Sequence, residues 1–222
     1  MRMRRKRNLD ERMNYLDDCL LRKESSEFYS LDEKSKYDIV DLRDTFKRSA
    51  PLWLELGCGK GKFTFETAKL NPDVNVIGVE KISNVILEPC ERLKRERIGN
   101  LAFMNVGVEN LRYYLPENCV DRIFLNFSCP YPKYTYHNRR LTYYRYLDLY
   151  KHLLKNGGEI WLKTDNAAFF EFSLQSFSEN GFKLKNVCLD LHKSDFKGNI
   201  TTEYEEIFSA QGKPIYRVEA YL

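Results

Sequence analysis

The sequence predicts an α/β fold built on a parallel sheet with helices on both faces. Short apolar runs alternate with amphipathic stretches from Pro51 to the end of the chain, and such strand–helix alternation is typical of parallel sheets. A glycine-rich turn also follows the first apolar run, in the place where open α/β sheets bind nucleotides.

The predicted elements follow one another in a regular order. Apolar runs predict strands at 52–56, 74–79, 101–106, 120–127, 159–164, 182–191 and 215–222. Amphipathic periodicity predicts helices at 63–70, 83–98, 108–115, 141–155 and 166–179. Right-handed crossovers between parallel strands leave few possible topologies for this sheet.

The first 45 residues differ from the rest, because they are charged and contain few apolar residues. We interpret residues 1–45 as a basic N-terminal extension, helical or partly mobile, ahead of a single domain at 46–222. Leu16, Leu20 and Leu21 are spaced to form one face of a short helix. Met1–Arg7 contains five cations and no acid, which is typical either of a solvated tail or of a segment that orders on RNA.

Composition argues against several classes of protein. The net charge of +4 is too small to mark a nucleic-acid binder by itself. The six cysteines form no Cys-x-x-Cys pair and the three histidines are scattered, so we expect no metal site. Free thiols without an export signal, and the lack of an apolar run long enough to span a bilayer, predict a cytoplasmic protein without a membrane segment.

Three glycines, Gly57, Gly59 and Gly61, stand at alternate positions just after the first predicted strand. Glycine there permits a sharp turn and lets a ligand approach the backbone closely. The spacing fits neither the phosphate loop Gly-x-x-x-x-Gly-Lys-Ser/Thr nor the dinucleotide turn Gly-x-Gly-x-x-Gly. It fits the Glu-x-Gly-x-Gly-x-Gly pattern of S-adenosylmethionine sites, in which Glu55 would meet the ammonium group of the ligand.

Glu80 ends the second predicted strand, in the segment Ile-Gly-Val-Glu at 77–80. An acid at that point can accept hydrogen bonds from both ribose hydroxyls of an adenosine cofactor. A glycine-rich turn by itself is more often an ordinary loop turn that binds no ligand. The turn and the acid together, spaced around one strand–helix–strand unit, favour a nucleoside cofactor.

The segment from Asn126 to Thr142 leaves the polar end of the predicted strand 120–127 and contains Pro130 and Pro132. Tyrosines, a histidine and several cations follow the prolines. In open α/β sheets, the loops at the carboxyl ends of the strands bind the ligand. Aromatic rings stack on bases and cations pair with phosphates, so this loop predicts a nucleic-acid substrate.

A series of motifs occurs in one order along the chain. They are Glu-Leu-Gly-Cys-Gly-Lys-Gly-Lys-Phe at 55–63, Ile-Gly-Val-Glu at 77–80, Asn-Phe-Ser-x-Pro-x-Pro-Lys at 126–133, Arg-Arg-Leu-Thr at 139–142, Lys-Thr-Asp-Asn at 163–166, Leu-Asp-Leu-His at 189–192, Thr-Glu-Tyr-Glu at 202–205 and Gly-x-Pro-Ile-Tyr-Arg at 212–217. From about Leu52 onward the chain thereby resembles the bacterial tRNA (guanine-N7)-methyltransferases, the TrmB family. The glycine turn is shared with many methyltransferases, whereas the proline–lysine loop and the last two motifs are specific to this family.

The resemblance implies a seven-stranded Rossmann-like S-adenosylmethionine-dependent methyltransferase fold, acting on N7 of a guanosine in the tRNA variable loop. We expect a monomer or homodimer whose cofactor is S-adenosyl-L-methionine and whose partner is tRNA. The candidate cofactor contacts are Glu55, Gly57, Gly59, Gly61, Glu80, Gly107 and Cys129. The candidate catalytic residues are Cys129 and Asp165. The candidate substrate contacts are Lys133, Asp165, Thr202, Glu203, Tyr204 and Glu205. The candidate RNA contacts are Thr135, Tyr136, His137, Asn138, Arg139 and Arg140.

The chain departs from the family pattern at three positions. Cys129 stands where the family usually has an Asp that is assigned to the catalytic site, and Tyr131 where it usually has Trp. Gly107 stands where an acid near the adenine is expected, with Glu109 as a candidate replacement. These departures leave open a second hypothesis, a non-catalytic or weakened tRNA-binding relative. A third, a small-molecule methyltransferase, is disfavoured by the aromatic and basic loop.

Guanine N7 carries an in-plane lone pair and is unprotonated at neutral pH, so it needs no general base. Catalysis then depends on in-line alignment of the reacting atoms and on carboxylates near the purine, which becomes positively charged. We expect Asp165, Glu203 and Glu205 to supply them. A carboxylate can accept both N1–H and N2–H of guanine and thereby reject adenine. Two simpler roles stay open: Asp165 as the cap of the following helix, and the glutamates as solvated helix charges.

Overall fold

A computed structural model of the protein describes residues 4–16 and 18–222. Its contacts divide the chain into two units. The first comprises the chain up to Leu52 together with Leu56–Pro116, and the second comprises Trp53–Glu55 together with Glu117–Leu222. None of the described helices is long and apolar enough to cross a membrane.

The first unit combines short N-terminal elements with the strands and helices around the glycine turn. Its elements are α1 (Leu9–Asn14), β1 (Leu20–Lys23), α2 (Leu42–Phe46), the ends of β2 (Leu52–Leu56), α3 (Lys62–Leu70), β3 (Asn75–Val79), α4 (Ser83–Glu96) and β4 (Leu101–Asn105). Three 3₁₀ helices complete it, at Ser26–Ser30, Lys34–Lys36 and Val108–Tyr113. The strands run in the order β1–β4–β3, and β4 is parallel to both neighbours.

The prediction that Leu16, Leu20 and Leu21 share a helix face is wrong, because Leu20 and Leu21 lie in strand β1. The edge of β4 decides this outcome, since β1 satisfies backbone groups there that a helix would leave unpaired. Glu24 N–H, for example, donates to the carbonyl of Asn105 at 3.1 Å. The described residues therefore contain eight strands, one more than the seven predicted.

Helix α1 packs against α4 in the core of the first unit. Met13 and Leu16 are almost fully buried there together with Leu87. At the edge of the contact, the Arg12 guanidinium donates to both carboxylate oxygens of Glu91, at 2.7 and 2.8 Å. The first three residues of the basic start lie outside the described residues, and the domain boundary at residue 45 stays a prediction.

The second unit contains a mixed sheet of its own strands. Its elements are the middle of β2, β5 (Val120–Asn126), α5 (Tyr144–Leu153), β6 (Leu154–Thr164), α6 (Ala167–Glu179), β7 (Lys183–Cys188), α7 (Glu203–Ala210) and β8 (Tyr216–Tyr221), with 3₁₀ helices at Tyr134–Arg139 and Leu191–Lys193. The strands run in the order β2–β5–β6–β8–β7. β2, β5 and β6 are parallel, and β8 is antiparallel to both of its neighbours.

The register of β5 and β6 brings their carboxyl ends together, since Asn126 lies opposite Lys163. The loop that follows Asn126 and the turn that follows Thr164 therefore start side by side. Strand β8 flanks β6 with Arg217 opposite Lys163. This common edge is where the predicted RNA-contacting loop and Asp165 begin.

Aromatic and guanidinium groups alternate on one face of this sheet. The Arg122 guanidinium lies 4.4 Å from the ring centre of Trp53 and 3.9 Å from that of Trp161. The Arg217 guanidinium lies 4.7 Å from Trp161 and 3.9 Å from Phe196. Phe196 lies in the long connection from β7 to α7, so these contacts fix that connection to the sheet.

Candidate active site

The glycine turn has the backbone geometry that a close ligand contact requires. Gly57, Gly59 and Gly61 all have positive φ, at 77°, 57° and 78°. The amides of Gly57 and Cys58 both donate to the carbonyl of Val79, which fixes the turn to the end of β3. A Cβ added to Gly57 or Gly59 would meet no described atom within 4 Å, so the backbone of the turn borders open space.

Glu80 directly follows β3, as predicted, and is half-buried. Its Oε1 accepts a hydrogen bond from the amide of Ile82 at 2.9 Å. The side-chain amide of Asn105 donates to the Glu80 carbonyl at 2.8 Å. These contacts hold the residue in place just after the end of the strand.

Gly107 has no side chain, but the carboxylate of the nearby Glu109 lies beside it. The carboxylate atoms of Glu109 lie 2.9–3.0 Å from the position that a Cβ of residue 107 would occupy. Glu109 therefore fills the space into which a side chain at position 107 would extend. The neighbouring Glu24 accepts hydrogen bonds from the Gly107 amide at 3.2 Å and from the Asn110 side chain at 2.8 Å. Sequence reasoning missed Glu24, because it precedes Gly107 by 83 residues.

In the second unit, Glu55 is buried in β2 and accepts a hydrogen bond from the side-chain amide of Asn126 at 3.0 Å. Asn126 is thereby a positioning partner of the predicted cofactor acid. Two residues further, the Ser128 hydroxyl is buried without a hydrogen-bond partner among the described residues. An orphaned polar group of this kind at a strand end is consistent with a ligand-binding edge.

The predicted RNA-contacting segment forms an exposed 3₁₀ helix, Tyr134–Arg139, after an exposed Lys133. Tyr134 is 83% exposed and stacks on His137 with ring centres 4.6 Å apart. The Arg139 guanidinium lies 4.7 Å from the Tyr136 ring. Thr135 and Asn138 are exposed on the same turn. Rings and cations of this turn are thus exposed to solvent, and their contact with RNA stays a prediction.

Arg140 has a structural role in the same loop. Its guanidinium donates to the carbonyls of Pro130 at 2.9 Å and Tyr131 at 3.2 Å and packs on the Phe172 ring. Burial lowers the pKa of this guanidinium. The loop ends at the fully buried Thr142, whose hydroxyl lies 2.9 Å from that of Ser173 in α6. Arg140 therefore shapes the loop, and Arg139 is the more accessible cation of the pair.

Cys129 is an exposed free thiol between Ser128 and Pro130. No hydrogen bond to its sulfur is found among the described residues. Residues 4–16 and 18–222 contain no group of His, Cys, Asp and Glu side chains suited to hold a metal ion.

Asp165 follows β6 and does not cap α6. The cap is Asn166, whose side chain accepts a hydrogen bond from the Phe169 amide at 2.8 Å. The Asp165 carboxylate instead pairs with the Lys213 ammonium at 3.2 Å and keeps 19% of its side chain exposed. The alternative of a capping role is therefore removed, and a carboxylate at the strand edge remains available for recognition.

Glu205 is fully buried and surrounded by hydrogen-bond donors. Its Oε1 lies 2.6 Å from Asn199 Nδ2 and 3.1 Å from His192 Nε2. Its Oε2 accepts from Lys163 Nζ at 2.6 Å and from the Thr202 amide at 3.5 Å. Two carboxylate oxygens offer about four acceptor sites, and each oxygen has one short hydrogen bond, from Asn199 and from Lys163. These contacts engage both oxygens of the carboxylate, and the contact of Glu205 with guanine stays a prediction.

The other members of the Thr-Glu-Tyr-Glu motif separate into two groups. Thr202 is buried and caps α7, because its hydroxyl accepts from the Glu205 amide at 3.0 Å. Glu203 is half-buried in the first helical turn, where the helix dipole favours an acid. Tyr204 is 56% exposed. Glu203 and Tyr204 are therefore the two residues of this motif that remain accessible to substrate.

Lys163 and Lys213 were not among the predicted site residues. Burial lowers the pKa of the Lys163 ammonium, and the Glu205 carboxylate opposes part of that effect. A lysine in an otherwise apolar strand was the sequence signal for Lys163, because a buried lysine requires a partner. Lys213 carried no comparable signal, since its partner depends on how β8 approaches β6.

Residues 49–218 match the model of a family described as "Putative methyltransferase". The chain belongs to this methyltransferase family. A curated relative from Geobacillus sp. (strain WCH70), named tRNA (guanine-N(7)-)-methyltransferase, is 48% identical over 176 residues, which cover 79% of this chain and 80% of that protein.

Two solved structures extend the family match to the fold. One is an antibiotic-related methyltransferase, with a TM-score of 0.63 and 15% identity; the match covers 86% of this chain and 100% of that one. The other is the antibiotic-resistance methyltransferase Kmr, with a TM-score of 0.57 and 18% identity, and covers 82% of this chain and 91% of its own. They confirm the predicted Rossmann-like methyltransferase fold, with eight strands in place of seven.

Proposed function

We propose that this methyltransferase transfers a methyl group to N7 of a guanosine in the variable loop of tRNA. The observation that carries the proposal is the edge formed by the ends of β5 and β6. There the Asp165 carboxylate and an exposed loop of rings and cations follow adjacent parallel strands. The 48% identical tRNA (guanine-N(7)-)-methyltransferase supports the same substrate. A cytoplasmic location is part of the proposal, because tRNA is the substrate.

S-adenosyl-L-methionine fits the residues present. The turn at Gly57 and Gly59 is open to a ligand backbone contact, Glu80 offers acceptors for ribose hydroxyls, and Glu55 is a buried acid for the ammonium group. When bound, this cofactor supplies an electrophilic sulfonium methyl. In this proposal the Glu80 carboxylate would hold the ribose, the Glu109 carboxylate the adenine, and the Glu55 carboxylate the ammonium group.

The proposed chemistry uses positioning and electrostatics without a general base. Guanine N7 attacks with its own lone pair, and no proton has to leave it first. Alignment of the reacting atoms contributes up to roughly 7–11 kcal/mol in favourable cases. The purine gains positive charge in the reaction, and nearby carboxylates stabilise that charge. Asp165 and Glu203 are the more accessible acids for this role, because Glu205 is fully buried.

Cys129 does not require a different mechanism. A thiol cannot supply the negative charge of the usual aspartate at neutral pH unless its ionisation is favoured. The N7 reaction does not depend on a base at that position, so we propose that Asp165 provides the main electrostatic contribution. Neither the family match nor the curated relative favours the non-catalytic alternative.

The decisive experiment is methyl transfer from labelled S-adenosyl-L-methionine to a tRNA transcript, with the modified base located by chemical cleavage and mass spectrometry. We expect one 7-methylguanosine in the variable loop. A matched transcript with 7-deazaguanosine at that position should accept no label, because the nucleophilic atom is missing. Incorporation at another atom, or none despite tRNA binding, would overturn the proposal.

We predict that Glu109→Gln weakens binding of S-adenosylhomocysteine about tenfold, since a hydrogen bond to a charged group contributes about 1.5–3 kcal/mol. The Glu109 carboxylate would accept from the exocyclic amine of adenine, in the space that Gly107 leaves free. Calorimetry measures the change. Glu117→Gln is the control, because its side chain is 71% exposed on the other unit. Equal affinities for wild type and Glu109→Gln would remove Glu109 from the cofactor site.

A further inference from the structure

Three aromatic side chains form a row beside the end of β5. Phe127 and Phe208 have ring centres 5.9 Å apart at an interplanar angle of 34°. Phe208 and Tyr204 follow at 6.1 Å and 21°. The rings are inclined by small angles, unlike the edge-to-face pairs in the sheet core. The row runs from the half-buried Phe127 to the 56% exposed Tyr204.

The inner end of the row has an unusual backbone. Phe127 has φ of 50°, a left-handed conformation that is a rare outlier for a bulky side chain. Its amide donates to the Lys163 carbonyl at 2.8 Å, which holds this conformation at the strand end. Such outliers persist where the surrounding structure enforces them, and they cluster at ligand sites.

Lys213 connects the row to the candidate recognition acid. Its ammonium lies 3.2 Å from Asp165 Oδ2 and 4.4 Å from the centre of the Phe208 ring. One cation therefore contacts both the carboxylate and the middle ring. A flat base placed on these rings would have the Asp165 carboxylate nearby for its polar edge.

Simple core packing does not account for this arrangement. A core cluster would bury its rings, whereas Tyr204 is more exposed than buried and Phe208 is only half-buried. Tyr204 also follows Glu203 and precedes the fully buried Glu205, so α7 is firmly fixed while it presents an open ring. Rigid, exposed rings at a strand edge are the features of a base-stacking surface.

We propose that Phe127, Phe208 and Tyr204 form the surface on which the target guanine stacks, and that Lys213 positions Asp165 against its Watson–Crick edge. The inference rests on the proposed function and adds to it the residues that select the base. Stacking supplies affinity for any base, while Asp165 supplies the preference for guanine. Lys213 is a positioning residue, because it acts through Asp165.

The test compares binding of two tRNA transcripts that cannot be methylated, in the presence of S-adenosylhomocysteine. One carries 7-deazaguanosine at the target position and the other an abasic site. Stacking contributes about 1–3 kcal/mol per base, so wild type should bind the first roughly 5- to 150-fold more tightly. Tyr204→Ala and Phe208→Leu should each lower this ratio about fivefold or more, while the contacts of Asp165 with the guanine edge keep it above unity.

Ile207→Ala is the matched control, because Ile207 is 51% exposed on the same helix and does not belong to the row. It should keep the wild-type ratio. Tyr204 is exposed, so its truncation leaves the fold intact even if Phe208→Leu does not fold. An unchanged ratio in Tyr204→Ala, or a wild-type ratio near unity, would overturn the stacking surface.

Lys213→Met and Lys213→Arg test the positioning role. We expect Lys213→Met to lower the preference for 7-deazaguanosine over 7-deazaadenosine about tenfold, and Lys213→Arg to restore most of it, since only the second keeps a charge-assisted contact to Asp165. If Tyr204→Ala lowers the binding ratio but Lys213→Met leaves the base preference unchanged, the stacking surface is supported and the positioning role of Lys213 is wrong. Wild type that fails to methylate natural tRNA would refute the proposed function itself, whereas methylation with unchanged ratios in all variants would refute only this inference.

Discussion

Asp165→Asn is expected to lower kcat/KM for tRNA methylation about 100-fold. The replacement keeps the size of the side chain but removes the charge and one of the two acceptors for the guanine edge. Two hydrogen bonds to a carboxylate contribute about 3 kcal/mol together, and 1.4 kcal/mol corresponds to a factor of ten. Steady-state methyl transfer to tRNA transcripts with guanosine or adenosine at the target position measures both the rate and the base preference.

Asp121→Asn is the matched control for this variant. Asp121 also pairs with a lysine, Lys155, at 2.7 Å, and it lies near the opposite end of the neighbouring strand β5. Its replacement should leave kcat/KM and base preference unchanged. If Asp165→Asn kept both the rate and the preference for guanine, Glu203 or a backbone group would have to form the hydrogen bonds that recognise guanine.

Lys163→Met is expected to lower the free energy of unfolding by about 3–5 kcal/mol, the cost of leaving one charge of a buried pair without its partner. Lys163 and Glu205 are 7% and 0% exposed, and their ammonium and carboxylate atoms lie 2.6 Å apart. The variant removes the main positive charge beside Glu205. Urea unfolding measures the change, and the double variant with Glu205→Gln should recover part of it because it removes the unpaired charge.

Lys155→Met provides the comparison for a more exposed pair. The side chains of Lys155 and Asp121 are 42% and 31% exposed, and pairs of this kind contribute about 0–1 kcal/mol. A loss below about 1 kcal/mol in Lys163→Met as well would show that the buried pair does not stabilise this unit. The Thr-Glu-Tyr-Glu motif would then be held in the fold by contacts other than the Lys163–Glu205 pair.

The two variants also separate the roles of two acids that the sequence grouped together. Asp165 and Glu205 both follow from motifs of the resembled family, and both were expected to contact guanine. The structure bonds Glu205 to Lys163, His192 and Asn199 and leaves Asp165 at an accessible edge. Asp165→Asn should therefore change catalysis more than stability, and replacement of Glu205 should change stability first.

The loop from Asn126 to Thr142 shows what the local sequence pattern can predict and what it cannot. Its position after β5, its exposed rings and its accessible Arg139 agree with the expectation from the sequence. Arg140 looked identical to Arg139 in sequence, and only the carbonyls of Pro130 and Tyr131 distinguish them. Charge and residue type predicted the surface, but not which cation the loop itself uses.

The sequence alone determined what depends on neighbouring residues: the alternation of strands and helices, the glycine turn, the strand-end acids Glu80 and Asp165, and the family resemblance. Tertiary structure decided what depends on distant residues. Lys163 and Glu205 are 42 positions apart, and Asp165 and Lys213 are 48 apart. Likewise, the edge of β4 made a strand of Leu20 and Leu21, and β8 entered antiparallel beside β6. Periodicity and spacing record local preferences, whereas partners for buried charges and free strand edges are chosen only when the chain packs.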